Sequence, residues 1–406
     1  METAPNYLNS VTALFLSNDS ILSSKSLTLS TWLTESAFPL WWNEGADHLN
    51  GGFFETIALN GHIFRGNRRF RVQPRQVYSY NISEQLEWNG PAAVAQQHGM
   101  RYLLTHYRCA DGSFGALAND TGELIDSTFD LYNQAFALLA FACRARSAPD
   151  EREAMATEAA RLRELLQGLR HGEMGFNENH DHKLPLCSNP HMHIFEACLA
   201  WEEVEVADAP VWRALADEIA TLALTRFIDA RSGGLREFFD ADWRPMPGIA
   251  GRIMEPGHQF EWAWLLASWG RRRGRPDAIV AARRLFDIGM QHGICPRRQV
   301  ARMQLLDDFS VHDDVARLWP QAEWIKAAVL LAVLSEGEER ARYLRDTEAG
   351  VDALNRFLNE VPVAGLWRDK MRADGSWVEE AAPASSFYHI VCAIVELSDR
   401  LAELKG

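Results

Sequence analysis

The sequence has little cysteine, and none of it is spaced as a motif. Six cysteines (Cys109, Cys143, Cys187, Cys198, Cys295 and Cys392) are scattered over 406 residues, with no Cys-x-x-Cys. A disulfide-stapled scaffold and a zinc ribbon are thereby excluded, and reduced, mostly buried thiols in a cytoplasmic protein are expected. Long apolar runs are also missing. Nowhere do 18 apolar residues follow one another, so no membrane span is expected. The short run from Val11 to Leu16 is stopped by Asn18 and Asp19, and no lysine precedes Lys25, so the start does not read as a signal peptide. A basic surplus is absent too. Against 41 Lys and Arg stand 55 Asp and Glu, a formal net charge of −14, which speaks against nucleic-acid and anionic-membrane partners. A phosphate-cradling Gly loop, a dinucleotide fingerprint and the family signatures of Ser-His-Asp or Cys-His nucleophiles are all missing. No linker or low-complexity stretch breaks the chain, so residues 1–406 read as a single domain.

What is present is a large apolar complement, 47% of residues, and 14 tryptophans. Most of these indoles belong in a core, although indoles also line sugar-binding clefts. The clearest order is a repeat of roughly 60 residues, a period that suggests stacked helical hairpins. Its first landmark is a Gly-rich turn followed by an aromatic or apolar residue: Gly51-Gly52-Phe53-Phe54, Asp111-Gly112-Ser113-Phe114, Gly172-Glu173-Met174-Gly175-Phe176, Gly233-Gly234-Leu235 and Asp374-Gly375-Ser376-Trp377, with His292-Gly293-Ile294 a weaker copy. Its second landmark is a helix start soon after each turn, at Pro74, Ser127-Thr128, Asn189-Pro190, Pro256, Trp319-Pro320 and Ser385. Most of these are a first-turn proline or a Ser, Thr or Asn cap. Runs of 3.6 periodicity follow, such as Asp130 to Ala145 and Gln321 to Leu334. Second runs come after them: Glu151 to Leu169, Val211 to Phe227, Pro276 to Met290 and Arg340 to Leu358. An N-terminal helix at 23–40 would pair with the last one at 385–403. Short strand-like pieces, Gly52 to Ala58 and His62 to Phe64, sit in the loops. About twelve helices in six hairpins predict an all-α toroid, an (α/α)6 barrel with a more aromatic inner ring, because closure avoids the exposed ends of an open solenoid.

In such a barrel the inner helices start at one end, and their first turns converge on one mouth. Those turns carry Arg75, Tyr132, His191 and His193, His258 and Glu261, Trp319 and Glu323, and His389. Core packing has no reason to place His, Arg and Glu at that phase repeatedly. His258 and Glu261 share a helix face. The positive helix end disfavours imidazolium at 258 and a nearby carboxylate favours it, which makes a plausible proton carrier. The alternative is a buried histidine bonded to a helix mate. Two histidines across a cavity suit proton transfer at a carbon next to a carbonyl. Arg75 either holds sugar oxygens as a two-pronged donor or joins Arg68, Arg69 and Arg71 in a solvated patch. The competing chemistry is a metal site from His180-Asp181-His182 and His191-Met192-His193. Alternate residues on a helix do not face one another, so the second pair cannot easily chelate one ion, and the first lies in a polar loop as a solvated segment or lid.

Taken in order, Arg71-Val72-Gln73-Pro74-Arg75-Gln76-Val77-Tyr78, Asp130-Leu131-Tyr132-Asn133-Gln134-Ala135-Phe136, Asn189-Pro190-His191-Met192-His193-Ile194-Phe195-Glu196-Ala197, Glu255-Pro256-Gly257-His258-Gln259-Phe260-Glu261-Trp262, Arg317-Leu318-Trp319-Pro320-Gln321-Ala322-Glu323 and Phe387-Tyr388-His389 resemble the N-acylglucosamine 2-epimerase superfamily and its mannose isomerase-like branch. The resemblance runs over nearly the whole chain. It implies an (α/α)6 barrel and an isomerase of aldoses that uses no metal and no cofactor. A histidine takes the C2 proton of the ring-opened sugar to give a cis-enediolate. Return of the proton to C1 isomerises, and return to the opposite face of C2 epimerises. On this resemblance His258 and His389 are the general acid/base pair, His389 for C2 abstraction and His258 for ring opening and proton return. Glu261 would orient His258. Arg75, Asn189 and His193 would hold substrate oxygens, and Tyr132, Trp319 and Glu323 would line the cavity. The expected substrate is a small sugar, mannose to fructose, handled by a monomer or homodimer. The alternative is 2-epimerisation of an N-acylated hexosamine or of a reducing-end glucose such as cellobiose.

Overall fold

The computed structural model describes residues 21–405; the apolar run at 11–16 lies outside the described residues. Twelve helices fill that span. In chain order they are α1 (21–43), α2 (Val72–Gln85), α3 (Ala92–His106), α4 (Leu131–Ser147), α5 (Arg152–Gln167), α6 (Ser188–Trp201), α7 (Ala209–Leu222), α8 (Pro256–Arg273), α9 (Pro276–Ile288), α10 (Leu318–Val333), α11 (Gly337–Asn359) and α12 (Phe387–Lys405). The even-numbered helices pack side by side, and the ring closes where α12 meets α2. Each odd helix backs an even one: α3 on α2, α5 on α4, α7 on α6, α9 on α8 and α11 on α10. The sixth hairpin joins the two ends of the chain, with Phe38 of α1 against Phe387 of α12 at 5.4 Å between ring centroids. This is the (α/α)6 barrel that the repeat predicts. None of the described helices is long and apolar enough to cross a membrane.

Side-chain polarity decides which ring a helix joins. On α10 every residue from Leu318 to Ala332 is buried, and a helix apolar on all sides must be covered on all sides. On α11, Tyr343, Leu344, Thr347, Gly350, Val351, Leu354, Phe357 and Leu358 form one buried stripe with charge between them, so it has one side for the core and one for water. Trp41, Trp201, Trp212, Trp243, Trp262, Trp269, Trp324 and Trp367 are fully buried. Most of the tryptophan is therefore core.

Two expected boundaries move. The second inner helix starts at Leu131, not at Ser127-Thr128. Asp130 caps it by accepting from the Tyr132 amide at 2.9 Å, while residues 124–126 are spent on a short strand. His292-Gly293 is the tail of the fifth outer helix and not a turn of the repeat. The turn itself lies between the paired strands Ile294–Cys295 and Val300–Ala301, where Gln299 takes the left-handed backbone (φ 54°). Elsewhere glycine is required. At Gly52, φ is 71° and an added Cβ would sit 2.6 Å from the Tyr102 ring.

Candidate active site

Five of the six inner helices are each tied to the turn before them by one polar side chain. Gln73 accepts from the Phe53 amide and donates to the Phe53 carbonyl, both at 2.9 Å. Gln134 does the same to Phe114, Gln259 to Leu235 and Gln321 to Ala301. In α6 the tie is His191, whose Nε2 accepts from the Phe176 amide at 3.0 Å and whose Nδ1 donates to the Cys187 carbonyl at 2.8 Å. Two residues further along a helix is about 200° around it. The residues two after these ties therefore point the other way, into the barrel: Arg75, Phe136, His193, Glu261 and Glu323. This explains His191-Met192-His193. The first histidine is a structural tie and the second faces the cavity.

The cavity at the mouth has a volume of about 480 Å³, and all six inner helices contribute to its wall. That size lies within the roughly 300–1,000 Å³ of small-molecule sites. Of the residues expected there, Arg75, Tyr132, Asn189, His193, His258, Glu261, Trp319 and His389 line it. Glu323 does not. It is fully buried beneath His389 and accepts from its Nδ1 at 2.7 Å. His180, Asp181 and His182 stay exposed on their loop. From the same loop Glu178 reaches the cavity. Burial raises its carboxyl to about 7, against a bond from the Cys187 amide.

His258 and His389 flank the Trp319 ring, with centroid separations of 5.1 and 5.7 Å. Their surroundings are opposite. His258 Nδ1 lies 2.9 Å from Glu237 and 3.6 Å from Glu255. Burial alone would lower this imidazole, but Glu237 and Glu255 outweigh it and raise it to about 10. His389 is held well below the ordinary imidazole value by burial, with Arg75 and Lys326 adding to it. A carboxylate only accepts, so the neutral ring of His389 carries its proton on Nδ1 and keeps a lone pair on Nε2.

The orienting partner of His258 is thus Glu237 and not Glu261, whose Oε1 has no partner at all. The error has a physical cause. Positions three apart on a helix look like partners, but His258 turns towards the preceding loop. There Ser188 Oγ donates to Glu237 at 3.0 Å and fixes it. Glu261 is raised well above the carboxylate range by burial and by Glu323. No periodic signal marks Glu237 in the sequence; its only cue is a place just after the Gly233-Gly234 turn.

Arg75 spans the cavity wall. It donates to the Tyr132 hydroxyl and, at 2.8 Å, to the Ser385 carbonyl, and it lies 4.4 Å from the Phe136 ring centroid. Its Nε is buried and unpartnered, as is Asn189 Oδ1, so both retain hydrogen-bonding capacity. The solvated-patch alternative fails for Arg75, which is buried. His193 donates from Nδ1 to Glu196 at 3.2 Å, and Tyr388 donates to the other Glu196 oxygen. Burial lowers His193 to about 4. Glu196 is held below its usual range, because the bonds from His193 and its neighbours outweigh burial.

Donor atoms of His193, Glu196 and Glu261, and of Glu261, Glu323 and His389, lie within 4.8 Å of one another. The spacing would suit a cation, but the second of these groups already has one, since Lys326 Nζ is 2.7 Å from Glu323 Oε2. The arrangement offers instead a protonated imidazole and a neutral one on the same cavity, which is the equipment for moving a proton between adjacent carbons.

The family model described as N-acylglucosamine 2-epimerase (GlcNAc 2-epimerase) matches residues 52–393. The chain is 56% identical over 377 residues to a mannose-6-phosphate isomerase of Rhizobium meliloti, covering 93% of this chain and 97% of the relative. It is 24% identical over 304 residues to a D-mannose isomerase of Marinomonas mediterranea, covering 71% and 76%. The structure of the cellobiose 2-epimerase from Bacillus thermoamylovorans superposes with a TM-score of 0.82 at 16% identity, covering 93% of this chain and 100% of the other.

Proposed function

The chain belongs to the N-acylglucosamine 2-epimerase family and is a sugar isomerase or epimerase, and from that premise we propose that it interconverts mannose and fructose by proton transfer between two histidines. The observation that carries the proposal is the pair of imidazoles around Trp319, one driven to its cation and one to its neutral form. Catalytic pKa values pushed apart in this way divide the acid role from the base role.

Protonated His258 assists ring opening at the sugar oxygens. Neutral His389 then takes the C2 proton on Nε2. The electron pair of that C–H bond becomes the C1=C2 bond, and O1 is protonated. In the second half C1 receives a proton, the O2 hydroxyl gives one up and the ketone forms at C2. Arg75, Asn189 and His193 hold substrate oxygens, and the Arg75 guanidinium stabilises charge on the enediolate. No step calls on a metal or another cofactor.

The name of the Rhizobium meliloti relative raises mannose 6-phosphate as a second substrate. Each rim arginine of the cavity already has an acidic partner: Arg69 with Glu55, Arg71 with Asp130 and Arg317 with Asp369. The unmodified hexose is favoured for that reason. Epimerisation at C2 of an N-acylated hexosamine or of cellobiose is the alternative outcome of the same chemistry. Initial rates on mannose, mannose 6-phosphate, N-acetylmannosamine and cellobiose test the choice. The expected result is the highest kcat/KM on mannose with fructose as product; preference for any other by tenfold or more overturns it.

A further inference from the structure

Lys326 is buried, 1% exposed, on a helix whose neighbouring residues Ile325, Ala327 and Ala328 are apolar. A lone ammonium in such a place is costly. Its surroundings show what keeps it there. Nζ is 2.7 Å from Glu323 Oε2, an ion pair whose angles fall outside hydrogen-bonding geometry, and 4.0 Å above the Trp264 ring. Glu323 Oε1, the other oxygen of the same carboxylate, accepts from His389 Nδ1 at 2.7 Å. Glu261 groups with Glu323 and His389 on one side and with His193 and Glu196 on the other. Three carboxyl groups and two imidazoles therefore gather under the cavity with one cation among them. Burial alone would lower the lysine, but Glu323 and the other acidic groups outweigh it and hold the ammonium charged far into alkali.

We propose that Lys326 is a positioning residue: its ammonium serves as the site's internal cation, clamps Glu323 by one oxygen, and thereby fixes the other oxygen on the Nδ1–H of His389 with Nε2 left free as the base. A purely structural ion pair would stop at Glu323. Here the two carboxylate oxygens link the lysine to the imidazole in series. The charged and titratable groups facing His389 are Arg75 from α2, His193 and Glu196 from α6, Glu261 from α8, and Glu323 and Lys326 from α10. Of the cations among them, Arg75 and Lys326 oppose protonation of the ring, so loss of Lys326 makes it easier.

The inference rests on His389 acting as the base, so its test has a readout that needs no turnover. Proton–nitrogen correlation spectra of the histidine rings, recorded without sugar against pH, report the tautomer and midpoint of His389; the His389→Gln spectrum identifies its signals. In the wild type the ring is a neutral Nδ1–H tautomer at neutral pH, with a midpoint well below the ordinary imidazole value. In Lys326→Met its midpoint rises by at least one pH unit and kcat falls 100-fold or more, while Lys326→Arg keeps the wild-type midpoint and recovers at least a tenth of the rate. An unchanged midpoint in folded Lys326→Met overturns the proposal. If Lys326→Met does not fold, Glu323→Gln is compared with Glu323→Gln/Lys326→Met, which removes both charges of the pair. Action through Glu323 predicts kcat values within about twofold; a further tenfold loss in the double variant overturns it. Spectra that shift as stated in a protein that turns over no sugar would defeat the proposed function and leave the role of Lys326 intact.

Discussion

Glu237 accepts the Nδ1 proton of His258 across 2.9 Å from a loop, not from the helix that carries the histidine. The pair is buried, and Ser188 holds the carboxylate in place. In the proposed mechanism this contact makes His258 the acid of the cavity, because it supplies the largest upward pull on the imidazole.

Glu237→Gln removes that pull. The wild type should keep kcat/KM up to about pH 10, where His258 loses its proton, and the variant should lose it at least one pH unit lower. A pH–rate profile on both proteins checks this. An alkaline limb at the same pH in Glu237→Gln would show that Glu255 alone suffices, 3.6 Å away.

His389→Ala should lower kcat by about 10²–10⁴, the usual contribution of a positioned proton carrier. The ring is one side chain in a largely polar cluster, so the circular dichroism spectrum should be retained. Turnover at the wild-type rate would remove His389 from the chemistry.

Arg75→Ala should raise KM and lower kcat together, with kcat/KM down 100-fold or more. It deletes both a sugar-oxygen donor and a charge that opposes protonation of His389. Arg75→Lys should not restore it, since one ammonium cannot span Tyr132 and Ser385 as the guanidinium does. Steady-state kinetics on mannose checks both variants.

Acid should unfold the protein through its neutral histidines. Burial lowers His191 and His193 to about 4, below the roughly 6.5 of an unfolded chain. A histidine with a depressed folded value binds protons more readily unfolded. Its stabilisation is therefore complete above pH 6.5 and is lost as pH falls towards 4, at most ~3 kcal/mol each. Urea midpoints should fall steeply over that window. His191→Gln keeps the amide-accepting tie and should flatten part of the slope; an unchanged slope would contradict the assignment.

The ring of hairpins is legible because its signals are local. Pro256, the Gly-aromatic turns and the apolar runs each act within a few residues, and the first helix, expected at 23–40, is present at 21–43. Convergence of Arg75, His193, His258 and His389 is legible for the same reason, since phase within a repeat survives folding. The partners of these residues are not. Glu237 comes from a loop, and Lys326 reads as an ordinary lysine in an apolar helix until Glu323 and Trp264 are seen around it. The resemblance gives Glu261 to His258 and helix spacing puts them on one face, yet the contact to the ring comes across the fold from Glu237. The recurrent glutamines Gln73, Gln134, Gln259 and Gln321 were visible as letters, but their purpose needed the turns they pair with.

The most direct measurement is proton NMR of chelator-dialysed protein with D-mannose in deuterated water. Fructose appearing with deuterium at C1, at a rate unaffected by the chelator, is the predicted result. Deuterium entering only at C2 with no ketose formed, or activity that vanishes on dialysis and returns with zinc or manganese, would contradict the two-histidine isomerase.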